Sequence, residues 1–217
     1  MRPWESLKTM VRFARMGDWE MIAYLAHAKL RRVDLGPASH EQLDIPEGRS
    51  HHHLNSGGSH VARVLRTLAI SPGDTVLDVG CGKGGALITL SKFPFARVDG
   101  LDLSEPAVAI ARENLGKVGL TRCTIYQCDA AQFPDYDRYN FLYMFHPFPA
   151  AILAEVLQAV RVSLARRPRK LVLIYVNCLS HDTIVAAGFK KISEFVGEWG
   201  PTMVFTLDAP APPSAAA

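Results

Sequence analysis

A glycine-rich turn holds the residues of this chain that can come closest to a bound ligand. Gly80, Gly82 and Gly85 follow the run Thr75-Val76-Leu77-Asp78-Val79, whose apolar residues are typical of a buried parallel strand. Glycine lets the backbone turn sharply and lets a ligand approach it. A helix predicted directly after the turn would point its free N–H groups toward that ligand. The pattern indicates a site for a nucleotide-type cofactor.

Asp78 favours one cofactor over another. A carboxylate at the end of an apolar strand is costly to bury unless it meets a partner. The ammonium group of S-adenosylmethionine (SAM) is such a partner, whereas the pyrophosphate of NAD would be repelled by the charge. The sequence therefore favours SAM, and an NAD(P)-dependent oxidoreductase is the weaker alternative.

The segment Leu77-Asp78-Val79-Gly80-Cys81-Gly82 resembles the first motif of the class I SAM-dependent methyltransferases. The resemblance implies a Rossmann-like fold with SAM as its cofactor. It also implies that the cofactor is contacted by residues of the motif and of the turn after it, namely Asp78, Gly80, Cys81, Gly82 and Gly84.

A second acid lies where a ribose would bind. Asp102 ends the apolar run after Arg97 and follows Gly80 by about 20 residues, a spacing that suits the two ribose hydroxyls. Asp99 is the competing acid, but it lies inside the predicted strand. The resemblance assigns Asp102 to the ribose and places Leu103 against the adenine.

A third acid, Asp129, follows a short predicted strand in the same way. From the residues alone it is equally a loop acid. The resemblance implies that Asp129 accepts a hydrogen bond from the adenine amino group and that the backbone of Ala130 lies nearby.

The run Phe145-His146-Pro147-Phe148-Pro149 ends a fourth strand, where the resemblance places cofactor and acceptor together. It departs from the Asn/Asp-Pro-Pro-aromatic pattern of many amine methyltransferases. His146 stands in the Asn/Asp position, and an imidazole can take a proton from a hydroxyl group. A catalytic base and a residue that only shapes the loop are both open interpretations. Phe145 is expected at the cofactor, and Phe148 and Trp19 at the acceptor.

Alternating strand and helix patterns predict how these residues are positioned. They indicate an α/β fold, a doubly wound sheet that is mostly parallel and is preceded by N-terminal helices. The last two strands are too close in sequence for a crossover helix, so they are expected to form an antiparallel hairpin. We predict a helical extension over 1–48 that acts as a cap or lid, a methyltransferase domain over 49–208, and a disordered tail over 209–217. Within the domain, 49–58 is either a lid beside a Gly-Gly hinge or a plain linker.

Composition narrows the function. The chain has 217 residues, a net charge of +3 and no apolar run near 20 residues, so neither nucleic-acid binding nor stable membrane insertion is expected. Four cysteines without zinc spacing suggest reduced thiols and a cytoplasmic protein. The run of histidines 51–53 lacks a nearby acidic or histidine partner, so no metal is expected.

These observations predict a SAM-dependent methyltransferase that acts on the oxygen or nitrogen of a small or medium-sized acceptor. A homodimer is left open. A different class of function also stays open, a non-catalytic SAM-binding partner protein on the same fold, because the loop around His146 is irregular for the family.

Overall fold

The computed structural model describes residues 3–51, 55–197 and 199–208, and the predicted tail 209–217 lies outside them. Seven strands and seven α-helices alternate over most of this length, with short 3₁₀ turns at 130–132 and 136–138. The strands are β1 Thr75–Val79, β2 Arg97–Asp102, β3 Ile125–Gln127, β4 Phe141–Phe145, β5 Leu171–Val176, β6 Lys190–Gly197 and β7 Gly200–Leu207. The helices are α1 Pro3–Arg15, α2 Trp19–Leu30, α3 Ser59–Leu65, α4 Gly85–Leu90, α5 Glu105–Lys117, α6 Ala150–Arg166 and α7 His181–Ala186.

All seven strands form one sheet in the order β3-β2-β1-β4-β5-β7-β6. Strands β1 to β5 pair in parallel, and β7 is antiparallel to both β5 and β6. The hairpin closes where Gly197 pairs with Gly200, a connection too short for a crossover helix. The predicted doubly wound sheet with an antiparallel C-terminal hairpin is confirmed.

Both faces of the sheet are covered, which explains why the central strands are apolar throughout. In β4, Phe141 and Tyr143 face the cluster formed with α1 to α5, while Leu142 and Met144 face the cluster formed with α6 and α7. This alternation follows the two-residue period of a strand. The strand order reverses at β1, which lies between β2 and β4, and such a switch point opens a crevice at the carboxyl ends of the strands.

Helix α2 packs within the core and not over that crevice. Met21 and Tyr24 are buried in the same cluster as α3 and α4. The Tyr24 hydroxyl lies 3.1 Å from the backbone oxygen of Gly85, the first residue of α4. The Asp18 side chain caps α2 by accepting from the Met21 N–H at 2.9 Å, and it accepts from the Ser59 hydroxyl at 2.6 Å. The interpretation of α2 as a cap over the acceptor is therefore corrected, because its buried face stabilises the helix behind the glycine turn.

No helix among the described residues is both long enough and apolar enough to cross a membrane.

Candidate cofactor and acceptor site

A cavity opens at the carboxyl ends of β1, β2, β3 and β4, the crevice expected at the switch point. The space among its lining residues is about 730 Å³, a volume that includes the open mouth. Its described walls come from the turn after β1, the ends of β2 and β3, the loop after β4, the start of α6 and a segment that runs across the opening. The lining residues are Ile45, Arg49, Ser50, His51, Ser56, Gly80, Cys81, Gly82, Leu101, Asp102, Leu103, Cys128, Asp129, Ala130, Phe145, Pro147, Phe148 and Ile152.

The turn after β1 is held against the end of β2. The N–H groups of Gly80 and Cys81 both donate to the backbone oxygen of Leu101 at 2.9 Å. Gly80 has φ +78°, and a Cβ placed on it would lie 2.7 Å from the Cβ of Pro147 in the loop after β4. Only a residue without a side chain lets these two walls of the cavity come so close.

Gly80→Ala is expected to lower the free energy of unfolding by about 1–3 kcal/mol, because it adds a clash to an unfavourable φ. It should also weaken cofactor binding, since the turn and the loop after β4 must move apart. Gly116→Ala is the matched control. Gly116 lies exposed in α5 with no atom near its would-be Cβ, so alanine should stabilise by about 0.5–1 kcal/mol. Thermal unfolding of the two variants measures both changes. A similar change in stability for Gly80→Ala and Gly116→Ala would contradict the prediction.

Asp78 lies beneath the turn with an unusual environment for a carboxylate. It is 2% exposed, and its Oδ2 atom has no hydrogen-bond partner among the described residues. Burial, and then the nearby charge of Asp102, raise the pKa of Asp78 well above its usual range. Asp78 does not line the open cavity itself. A buried carboxylate oxygen left without a donor fits a ligand that brings a cation to this place.

Asp102 connects the glycine turn after β1 to the loop that follows β2. Its Oδ2 accepts from the N–H of Gly82 at 2.8 Å, and its Oδ1 accepts from the N–H of Ser104 at 2.9 Å. The Ser104 hydroxyl in turn caps α5 at Ala107, as its position before Pro106 predicts. Asp102 therefore both shapes the turn and presents a carboxylate to the cavity.

Asp99 has a different role from Asp102. It is 1% exposed and accepts from the N–H of Thr124 at 2.8 Å and from the Tyr139 hydroxyl at 2.7 Å. It does not line the cavity. Its contacts join β2 to the strand and turn beside it, so Asp99 stabilises the fold.

Asp129 lies on the cavity wall after β3 and forms an ion pair that the sequence did not predict. Its Oδ1 accepts from the N–H of Ala131 at 3.0 Å, and its Oδ2 pairs with the guanidinium of Arg49. Arg49 is one of five lining residues that precede α3 in the chain, the others being Ile45, Ser50, His51 and Ser56. Residues 49–51 and Ser56 thus lie at the cavity, and the interpretation of 49–58 as a lid stays a prediction.

The loop after β4 brings two imidazoles together. His146 has φ +37°, and its Nδ1 atom lies 3.3 Å from the hydroxyl oxygen of Tyr175. The ring of His51 stacks on that of His146 with a centroid distance of 4.2 Å and an angle of 12°. His51 lines the cavity and His146 does not. The expectation that His146 faces the acceptor is corrected, because its ring lies between His51 and Tyr175.

The expectation that Trp19 lies at the acceptor is corrected. Trp19 is 68% exposed and lies beside Met16 and Arg63 on another surface, because it opens α2 behind the core. Gly84 caps α4 with φ +81°, and its contact with the cofactor stays a prediction. Among the described residues no three His, Cys, Asp or Glu side chains come together as a metal site requires, and two of the histidines in 51–53 lie outside that set.

Residues 76–166 match a family model described as a methyltransferase domain. The ribosomal RNA small subunit methyltransferase H of Crocosphaera subtropica is 40% identical over 72 residues, which is 33% of this chain and 23% of that protein. This chain spans less than a quarter of the length of the curated relatives that it matches first.

Two solved structures share the fold. The ribosomal protein L11 methylase of Lactobacillus delbrueckii subsp. bulgaricus has a TM-score of 0.56 at 16% identity, covering 73% of this chain and 81% of that one. The magnesium protoporphyrin IX methyltransferase of Synechocystis PCC 6803, solved with bound SAM, has a TM-score of 0.52 at 20% identity, covering 68% and 75%.

Proposed function

Given that residues 76–166 form a methyltransferase domain of the class I, SAM-dependent type, we propose that the protein transfers the methyl group of SAM to a small or medium-sized acceptor. The observation that carries the proposal is Asp78, which lies just before the glycine turn and whose buried Oδ2 atom has no hydrogen-bond partner among the residues that the structure describes. The ammonium group of SAM supplies the missing donor and the compensating charge.

We assign the other lining residues to the remaining parts of the cofactor. The backbone of Gly80, Cys81 and Gly82 lies against its amino-acid part. Asp102 accepts from the ribose hydroxyls, and Leu103 packs on the adenine. The adenine amino group is bound by Asp129, beside Ala130. Phe145 closes the end of the cavity nearest to the acceptor. Two observations support these assignments. Each named residue lies in the glycine turn or at or just after the end of β2, β3 or β4, and all of them line the one cavity.

Bound SAM supplies an electrophilic methyl carbon on a positively charged sulfur, which an acceptor displaces in line. The chain's own residues have to align the acceptor and exclude water. Such positioning can supply a large part of the lowering of the activation barrier in a reaction of this kind. Residues 49–51 and the loop after β4 lie where they can do both, since both line the cavity and the His51 N–H donates to the Pro147 backbone oxygen. The Arg49–Asp129 ion pair joins residues 49–51 to the sheet.

The proposed acceptor has an apolar surface. Phe145, Pro147, Phe148 and Ile152 form an apolar wall at one side of the cavity. The covered opening and the apolar wall favour a small molecule here.

Titration calorimetry with SAM, S-adenosylhomocysteine and NAD tests the proposal. We expect heats of binding for the first two and none for NAD at the same concentration, because NAD brings no ammonium group to the buried carboxyl of Asp78. Tight NAD binding without SAM binding would instead show an oxidoreductase. SAM binding without turnover across hydroxyl, amine and thiol acceptors would show the non-catalytic binding protein.

A further inference from the structure

The imidazole of His51 is held at the cavity by contacts on both sides of its backbone. Its N–H donates to the backbone oxygen of Pro147 at 3.0 Å, and the Nε2 atom of His40 lies 3.1 Å from its own backbone oxygen. Its ring rests on that of His146. The ring is therefore positioned beside the loop after β4 while it stays exposed on its cavity side.

The partner ring of His146 is kept neutral. Tyr175 is fully buried, and burial raises the pKa of its hydroxyl, so it remains a donor. A hydroxyl that donates to Nδ1 of His146 leaves the ring proton on Nε2. Burial, and then His51, lower the pKa of His146. Of the two stacked rings, only that of His51 lines the cavity and is exposed, so it is the one that an acceptor in the cavity can reach.

We propose that His51 is the general base for a hydroxyl acceptor, in particular a phenol, and that His146 is a positioning residue; this inference rests on the proposed function. The acceptor O–H gives its proton to the free nitrogen of His51. The oxygen forms a bond to the methyl carbon, the carbon–sulfur bond breaks, and its electron pair stays on the sulfur as a neutral thioether. The proton then leaves the exposed ring for solvent.

The surroundings of His51 support this role. The titratable and charged groups that face it are His146 across the stack, Tyr175 beyond that ring, His40 at the backbone, and the Arg49–Asp129 pair on the same rim. The one carboxylate among these groups, Asp129, pairs with Arg49, and no contact between it and the His51 ring is found among the described residues. A phenol needs a base before it attacks, whereas a neutral amine does not, and the apolar wall suits an aromatic ring.

The test uses 4-methoxyphenol and 4-nitrophenol as probes, with benzylamine and thiophenol for comparison. The wild-type protein should methylate at least one phenol, with a kcat/KM that rises with pH. His51→Gln should lower kcat by about 100-fold and remove the rising limb, while affinity for S-adenosylhomocysteine stays within about twofold. Added imidazole should partly restore the activity of His51→Ala. NMR of ¹³C-labelled histidine should give His51 a titration midpoint that matches the rising limb.

Two variants separate catalysis from positioning. His146→Asn keeps a residue type that tolerates positive φ, and it should shift the rising limb and lower kcat by less than about tenfold. His27→Gln, exposed on α2 away from the cavity, should change nothing.

The outcomes distinguish this inference from the proposed function. If S-adenosylhomocysteine binds but no phenol is methylated, or if His51→Gln keeps the rising limb, His51 is not the base and cofactor binding still stands. If the wild-type protein does not bind S-adenosylhomocysteine, the proposed function itself is wrong.

Discussion

Asp78→Asn is expected to stabilise the cofactor-free protein and to weaken SAM binding at the same time. The wild-type carboxylate is 2% exposed, and one of its oxygens has no partner in the described part of the chain, so removing its charge relieves an uncompensated burial cost. The same change removes a charge-assisted hydrogen bond to the ammonium group, worth about 1.5–3 kcal/mol. At 1.4 kcal/mol per factor of ten, SAM affinity should fall by about 10- to 100-fold.

The stabilising effect of Asp78→Asn should depend on pH. The folded-state pKa of Asp78 is raised above its ordinary value of 3.8, so the folded protein holds this proton more tightly than the unfolded chain. That contribution to stability is fully present below the ordinary value and is lost as pH rises through the folded-state pKa. The melting temperature of the variant should therefore exceed that of the wild type by an amount that grows from acidic to neutral pH. Calorimetric unfolding without cofactor measures it, and a difference that stays constant or falls would contradict the argument.

Asp102→Ala is expected to abolish measurable SAM binding while the sheet still forms. The variant loses the ribose acceptor together with the bonds to the N–H groups of Gly82 and Ser104, so the turn loses its shape as well as its ligand contact. Two or more charge-assisted bonds correspond to an affinity loss of about 100-fold or more. Calorimetry with S-adenosylhomocysteine gives the affinity, and circular dichroism checks the fold.

Asp99→Asn is the matched comparison, since Asp99 lies in the same strand but faces the core. Its bonds to the Thr124 N–H and the Tyr139 hydroxyl would weaken, which should lower the free energy of unfolding by about 1–3 kcal/mol. SAM affinity of the folded protein should change little. The assignment of the two acids would be wrong if Asp99→Asn weakened SAM binding while Asp102→Ala lowered only the free energy of unfolding.

The sequence alone predicted the features that depend on residues close together along the chain. The strand, glycine turn and helix around Gly80 follow from apolar runs and from backbone freedom. The choice of Asp102 over Asp99 follows from which of the two ends its strand, and the cavity lining agrees with it. The antiparallel pairing of β6 and β7 follows from a connection too short for a helix. Each inference uses a period, a spacing or a loop length, and these are local properties of a chain.

Only the tertiary structure decided which distant segment closes the cavity. Arg49 pairs with Asp129 across 80 residues of chain, and His51 stacks on His146 across a longer stretch. Trp19 was expected at the acceptor only because it is a large aromatic residue. The packing of α2 behind α4 exposes it to solvent instead. No periodicity or spacing specifies contacts between segments so far apart, because they depend on how complete elements pack on the two faces of the sheet.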